Sequence, residues 1–152
     1  MRYNLIAIVT IGIFFADIVI PQRALGQGSD DCITGYTKFD VCAAAKEIQR
    51  NAAPNLPMQL SAEMTLMSIM AIGGRVGMNV IWHMTEVELN SRIAMNNTTL
   101  ENLRSQMQSY SRTSVCSREV TAAFVRLGGE MQYHYTTNDG FSIASPLIKN
   151  CG

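Results

Sequence analysis

The sequence predicts an α+β domain in which a four-stranded antiparallel sheet, made of two hairpins, packs on about three helices and is held by disulfides. Three observations predict it. Two segments alternate apolar and polar residues after a glycine pair, three segments repeat apolar residues at helical spacing, and four cysteines follow an apolar leader. A length of 152 residues accommodates one such domain.

Residues 1 to 26 have the three-part form of a secretory signal peptide: Arg2 at the start, an apolar run from Leu5 to Ala16, and the small-residue exit Ala24-Leu25-Gly26. Cleavage is expected after Gly26, which leaves residues 27 to 152 as a single exported domain. A membrane anchor would need roughly 20 apolar residues, and Asp17 interrupts this run before that length. A lipid anchor would need a cysteine where Gln27 stands. The expected location is therefore periplasmic or secreted.

The segment from Gln27 to Gly35 is small and polar, and order is expected to begin near Tyr36. From Lys38 to Asn51, Val41, Ala45, Ile48 and Ala52 recur every three or four residues, with Thr37 or Asp40 available as a cap. Pro54 and Pro57 end that helix, since neither can donate the next backbone bond. The run Thr65 to Ile72 then meets Gly73-Gly74, after which Val76, Met78, Val80, Trp82 and Met84 alternate with Arg75, Gly77, Asn79 and His83; Ile81 is the one lapse on the polar side. Two glycines that accept positive φ make this a tight hairpin.

The charged stretch Glu86 to Arg92 reads as a solvated connection. Thr98-x-x-Glu101 is a capping-box pattern for a helix lined by Leu100, Leu103, Met107 and Tyr110. In the next helix Ser117 is the expected cap, Val120, Ala123, Phe124 and Leu127 form the stripe, and Gly128 ends it. Met131, Tyr133 and Tyr135 alternate with Glu130, Gln132, His134 and Thr136, and Asn138-Asp139-Gly140 turns the chain into a last strand from Phe141 to Ile148. Ile72-Gly73-Gly74 echoes Leu127-Gly128-Gly129, and aligning the glycines sets Val76, Met78 and Val80 on Met131, Tyr133 and Tyr135. What precedes each glycine pair differs, strand in one case and helix in the other, so this is not a repeat.

An even number of cysteines in an exported chain implies oxidised pairs. Cys32, Cys42, Cys116 and Cys151 allow three pairings. Position favours Cys32 with Cys42, in one N-terminal segment, and Cys116 with Cys151, which bracket the C-terminal half. None of them has the C-x-x-C spacing of a zinc knuckle.

Removing Arg2, Arg23 and Asp17 with the leader leaves ten of twelve basic and eleven of twelve acidic residues, a balance without the clustered Lys and Arg that nucleic acid or an anionic membrane surface requires. His83 and His134 fall on the polar faces of strands with no evident serine or cysteine partner, so no catalytic set is legible. Met64-x-x-Met67-x-x-Met70, with His83, is the candidate for soft-metal binding, because thioethers bind Cu(I). In a strand Met67 would point away from the other two, and core filling is the simpler role. Ten methionines beside a single tryptophan suit a pliable interior or a groove for a partner helix. Asn96 and Asn97 begin Asn-x-Thr sequons, which are glycan acceptors in a eukaryotic secretory pathway and have no such role in bacteria, and they do not inform function.

Leu56-Pro57, Thr65-Leu66, Gly73-Gly74, Trp82-His83-Met84-Thr85, Cys116, Gly128-Gly129, Tyr133-His134-Tyr135, Asp139-Gly140 and Cys151, in that order, resemble a group of small exported bacterial proteins. The group includes the "putative quorum-sensing-regulated virulence factor" family and the similarly folded pilotins of type II secretion systems. The resemblance implies a sheet packed on helices and a Cys116–Cys151 disulfide. It also implies a protein partner, such as the C-terminal helix of a secretin; the missing lipid-bearing cysteine is a departure from the pilotins. The combined expectation is a non-enzymatic exported envelope protein that uses no cofactor and binds another protein, a helical peptide or a secretion-system component. A periplasmic copper-binding protein and a small hydrolase or hydrolase inhibitor are the alternatives.

Overall fold

The computed structural model describes residues 32–34 and 38–152. The signal-peptide segment, Thr37 and Tyr36 lie outside the described residues. Helix α1 spans Val41–Ala52; Asp40 caps it by accepting the Ala43 N–H at 2.9 Å. A short 3₁₀ turn, Ala53–Asn55, follows at the prolines. Three strands come next: β1 (Met58–Ser61), β2 (Met64–Ile72) and β3 (Arg75–Trp82). Helices α2 (Glu86–Met95), α3 (Leu100–Cys116) and α4 (Glu119–Arg126) lead to β4 (Glu130–Thr137), β5 (Ser142–Ala144) and β6 (Leu147–Ile148).

The sheet differs from expectation in strand number and in direction. Among the described residues six strands are present, in the order β1-β2-β3-β4-β5 with β6 also on β4, and β3 runs parallel to β4. The physical reason lies in the connection. Three helices separate β3 from β4, and such a crossover returns the chain to the end from which β3 started, whereas a hairpin would reverse it. The register pairs Val76 with Met131, Met78 with Tyr133 and Val80 with Tyr135, the alignment that the two glycine pairs give. β2 and β3 form the expected hairpin, closed at Ile72 and Arg75.

Further corrections concern element ends. The stretch read as a solvated connection is α2, started by a complete capping box between Thr85 and Glu88. The cap of α3 is Thr99, which accepts the Asn102 N–H, so Thr98 and Glu101 do not form the expected box. Ser117 ends α3, and Arg118 starts α4 with no side-chain cap. Gly128, at φ 98°, ends α4 as expected. The expected last strand is split into β5 and β6 at Ser145-Pro146, because proline has no N–H for the ladder.

Helices cover one face of the sheet. Val76, Met78 and Val80 on β3, Leu66 on β2, and Met131 and Tyr135 on β4 are buried against Val41 and Ala45 of α1, Met107 and Val115 of α3, and Phe124 and Val125 of α4. Gly129 is the tightest point: a Cβ there would overlap the Phe124 ring. Within the core, Tyr135 shares a 3.0 Å hydrogen bond with Ser111, and burial pushes its phenol well above the usual range. Tyr133 stacks on it with ring centroids 5.6 Å apart. Disulfides join Cys32 to Cys42 and Cys116 to Cys151, the pairing that position favours.

Candidate functional site

Strand alternation puts every second residue of β3 and β4 on the face away from the helices: Arg75, Gly77 and Asn79 on one, Glu130, Gln132 and His134 on the other. The register aligns them in pairs. Gly77 leaves a gap beside Gln132, and Met70 of β2 stands opposite that glycine. The result is a groove of about 350 Å³ whose apolar side is Met70, Ile72 and Val41 and whose polar side is Asn79, Gln132 and His134.

The apolar side is exposed. Met67 is 44% accessible, Met70 49% and Ile72 70%, so three large side chains of one uncharged strand face solvent on the sheet. A register shift between Leu66 and Ser68 produces part of this: the bulge at Met67 adds a residue to β2, and Ser68 binds Asn79 through a 2.7 Å side-chain hydrogen bond.

One end of the groove is charged. Arg75 lies 2.6 Å from Glu130, Lys149 lies 2.9 Å from the other oxygen of the same carboxylate, and Arg75 also donates to Gln132 at 3.2 Å. The hydrogen bond from Lys149 holds the Glu130 carboxyl below its usual range, and Arg75 adds to it against the effect of partial burial. Two cations meet one anion here.

The structure separates the soft-metal candidates. Met64 packs against the core opposite Trp82, while Met67 and Met70 are exposed, so the three thioethers do not share one environment. His83 is exposed beyond the end of β3 and pairs with the Thr65 hydroxyl at 2.9 Å. Among the described residues, the cluster of potential metal-ligating groups is Cys32, Asp40 and Cys42. Its two sulfurs are bonded to each other, and its carboxylate caps α1.

His134 has a partner that the sequence does not reveal: its Nδ1 lies 3.2 Å from the Ser145 hydroxyl. A serine nucleophile needs a base that a third group orients, and among the described residues no carboxylate bonds this imidazole. A second hollow, about 320 Å³, lies between Arg104 and Gln108 of α3 and the β5–β6 connection; the Arg104 Nε–H donates to the Ile143 carbonyl at 2.8 Å. No helix among the described residues is long and apolar enough to cross a membrane.

The groove residues Ile72, Gly77, Asn79 and Gln132 were not among the candidates of the sequence. Their signal was the glycine echo, which contains the parallel register and thus places Gly77 beside Gln132.

No protein family matches the sequence, and no curated protein does. The fold is similar to those of three solved structures. The type II secretion system pilotin AspS from Vibrio cholerae is 14% identical, with 73% of this chain and 89% of that chain covered and a TM-score of 0.53. EpsS, the type 2 secretion pilotin of Vibrio vulnificus, is 12% identical over 74% of this chain and 92% of its own, at a TM-score of 0.57. PA3611 of Pseudomonas aeruginosa, described as a "putative secreted protein", is 15% identical over 79% and 93%, at 0.55. At these identities the likeness is one of fold.

Proposed function

We propose that this chain is a non-enzymatic exported protein of the bacterial envelope that binds another protein, as an accessory of a secretion or virulence system. The partner seats in the groove on the open sheet face, as a helical segment with an apolar stripe. The observation that carries this reading is the exposure of Met67, Met70 and Ile72 beside Gly77, on the face opposite the one that the described helices pack against. Exposed apolar surface costs free energy in water, and methionines re-pack around a partner's side chains. The polar side, Asn79, Gln132 and His134, supplies hydrogen bonds that orient the segment.

Two further observations support it. The fold likeness includes two pilotins of type II secretion systems. Export is supported by the leader-like residues 1 to 26 and by two disulfides, which persist in oxidising compartments.

The test is capture from envelope extracts of the native host at native salt, comparing the wild type with Met70→Asp/Ile72→Asp and with Val87→Asp on α2 as a control. The account expects one protein that the wild type and the control retain and the double variant loses at least tenfold. Equal capture by all three would show that the groove is not the binding surface.

A further inference from the structure

The charged end of the groove is unevenly satisfied. Arg75 donates from Nε and Nη2 to one oxygen of Glu130, at 2.7 and 2.6 Å, and Lys149 donates to the other at 2.9 Å, so both carboxylate oxygens are taken. The cations are not. A guanidinium has five N–H donors and an ammonium three. Beyond the bonds to Glu130, the two cations make only the 3.2 Å bond from Arg75 Nη1 to the Gln132 side-chain carbonyl among the described residues, so half of their N–H groups are unused. Arg75 cannot accept, so that bond turns the Gln132 amide oxygen toward the guanidinium and leaves its NH2 as a further donor, to which no described residue is bonded. The Arg75 and Lys149 side chains are 42% and 58% accessible, open to a ligand from solvent.

We infer that this end of the groove is a carboxylate-recognition site, and that the partner segment carries an Asp or Glu side chain which it receives. The inference rests on the groove being the partner's seat. Two positive charges against one negative leave an excess of one, and the anion is saturated where the cations are not. Among the described residues that line the groove Glu130 is the one acid, so nothing else there opposes an incoming carboxylate. The apolar surroundings make the acid part of a larger segment. Arg75 is the register partner of Ile72, so a free inorganic anion would take the donors and leave Met70 and Ile72 bare, whereas an amphipathic segment uses both. Its spacing follows from the strand. From Arg75 to Gly77 two residues of β3 span about 6.6 Å, and one turn of a helix rises about 5.4 Å. The acidic residue therefore stands three or four positions from the apolar side chain that enters the gap at Gly77.

The experiment is selection of a displayed library of random helical peptides on the purified protein, in the form cells produce it, and on three variants checked for folding by circular dichroism. The expected wild-type result is a set of peptides that share an apolar stripe and an Asp or Glu three or four positions from one of its residues. Changing that acid to its amide weakens binding at least fivefold at low salt and less at high salt. Lys149→Glu turns the excess into one negative charge and moves the preference at that position to Lys or Arg, while Glu130→Gln raises the excess to two positive charges and sharpens the preference for Asp or Glu; either variant alone decides the matter if the other does not fold. Stripe-bearing peptides with no acid at a fixed position overturn the inference, as does an acidic preference that neither variant alters. In both of those cases the groove reading stands, provided that Met70→Asp/Ile72→Asp loses the stripe-bearing peptides. A wild type that enriches nothing beyond that double variant overturns the groove reading, and this inference with it.

Discussion

Tyr135 illustrates how single residues set the interior of this fold. Its ring is buried, and its hydroxyl is bonded to Ser111, itself fully buried on α3. Tyr135→Phe would leave that serine without its partner, and the expected loss is about 1 kcal/mol, read as a shift of the denaturant midpoint at unchanged slope. Gly129→Ala should cost more, roughly 1 to 3 kcal/mol, because the new methyl meets the Phe124 ring and the α4–β4 junction has to move; a thermal melt would show it.

Acid sensitivity also belongs to single residues. Glu88 is held below its usual range by the Thr85 backbone and side chain, Asp139 by the Thr137 hydroxyl and the Glu86 N–H, and Glu130 by Lys149 and Arg75. Each is ionised at a lower pH in the folded chain than in the unfolded one, so the unfolded state takes up protons first as the solution is acidified. Their contribution is complete above the ordinary carboxylate range, near pH 4, and is lost as the pH falls through the folded values. Thermal melts between pH 7 and pH 2 should fall steeply only below about pH 4.5, and Glu130→Gln should flatten that fall.

At the scale of elements, the disulfide from Cys116, the last residue of α3, to Cys151 ties that helix to the segment after β6. It closes a loop with a sequence separation of 35, worth about 4 kcal/mol on the chain-entropy model, against about 3 kcal/mol for Cys32–Cys42 with a separation of 10. Cys116→Ser/Cys151→Ser should therefore lower the unfolding free energy more than Cys32→Ser/Cys42→Ser, by urea denaturation of each pair. Both bridges were legible from position, since the cysteines fall in two groups far apart in sequence.

Other elements were less legible, for identifiable reasons. Only Leu89 of α2 is buried and Val87 and Met95 are exposed, so its apolar residues do not trace a single core-facing stripe, although Thr85-x-x-Glu88 announces its start. β1 is four residues long and directly follows Pro57, which obscures a strand. The parallel pairing of β3 and β4 was contained in the glycine echo but could not be read as such. Alternation identifies which face of a strand is buried and says nothing about the direction of its neighbour.

At the largest scale, the described residues form one sheet with helices on one side and a grooved, partly apolar face on the other. The core face was legible almost residue by residue, from Val76, Met78 and Val80 to Met131 and Tyr135. The open face was not, because it depends on which strand lies beside which. Gly77 reads as an unremarkable polar-side residue until Gln132 and Met70 flank it. The methionine trio shows the same limit: the bulge at Met67 sets Met64 in the core and Met67 and Met70 outside, where strict alternation would have kept Met64 and Met70 together.

The central claim is that the open face of the sheet, and not the helical side, receives a protein partner. Photo-crosslinking in living cells tests it directly, with the reactive residue placed at Ile72 in one strain and at Tyr110, exposed on α3, in another. The account predicts one discrete crosslinked envelope protein from position 72 and none from position 110; a silent position 72, or the same product from both, would contradict it.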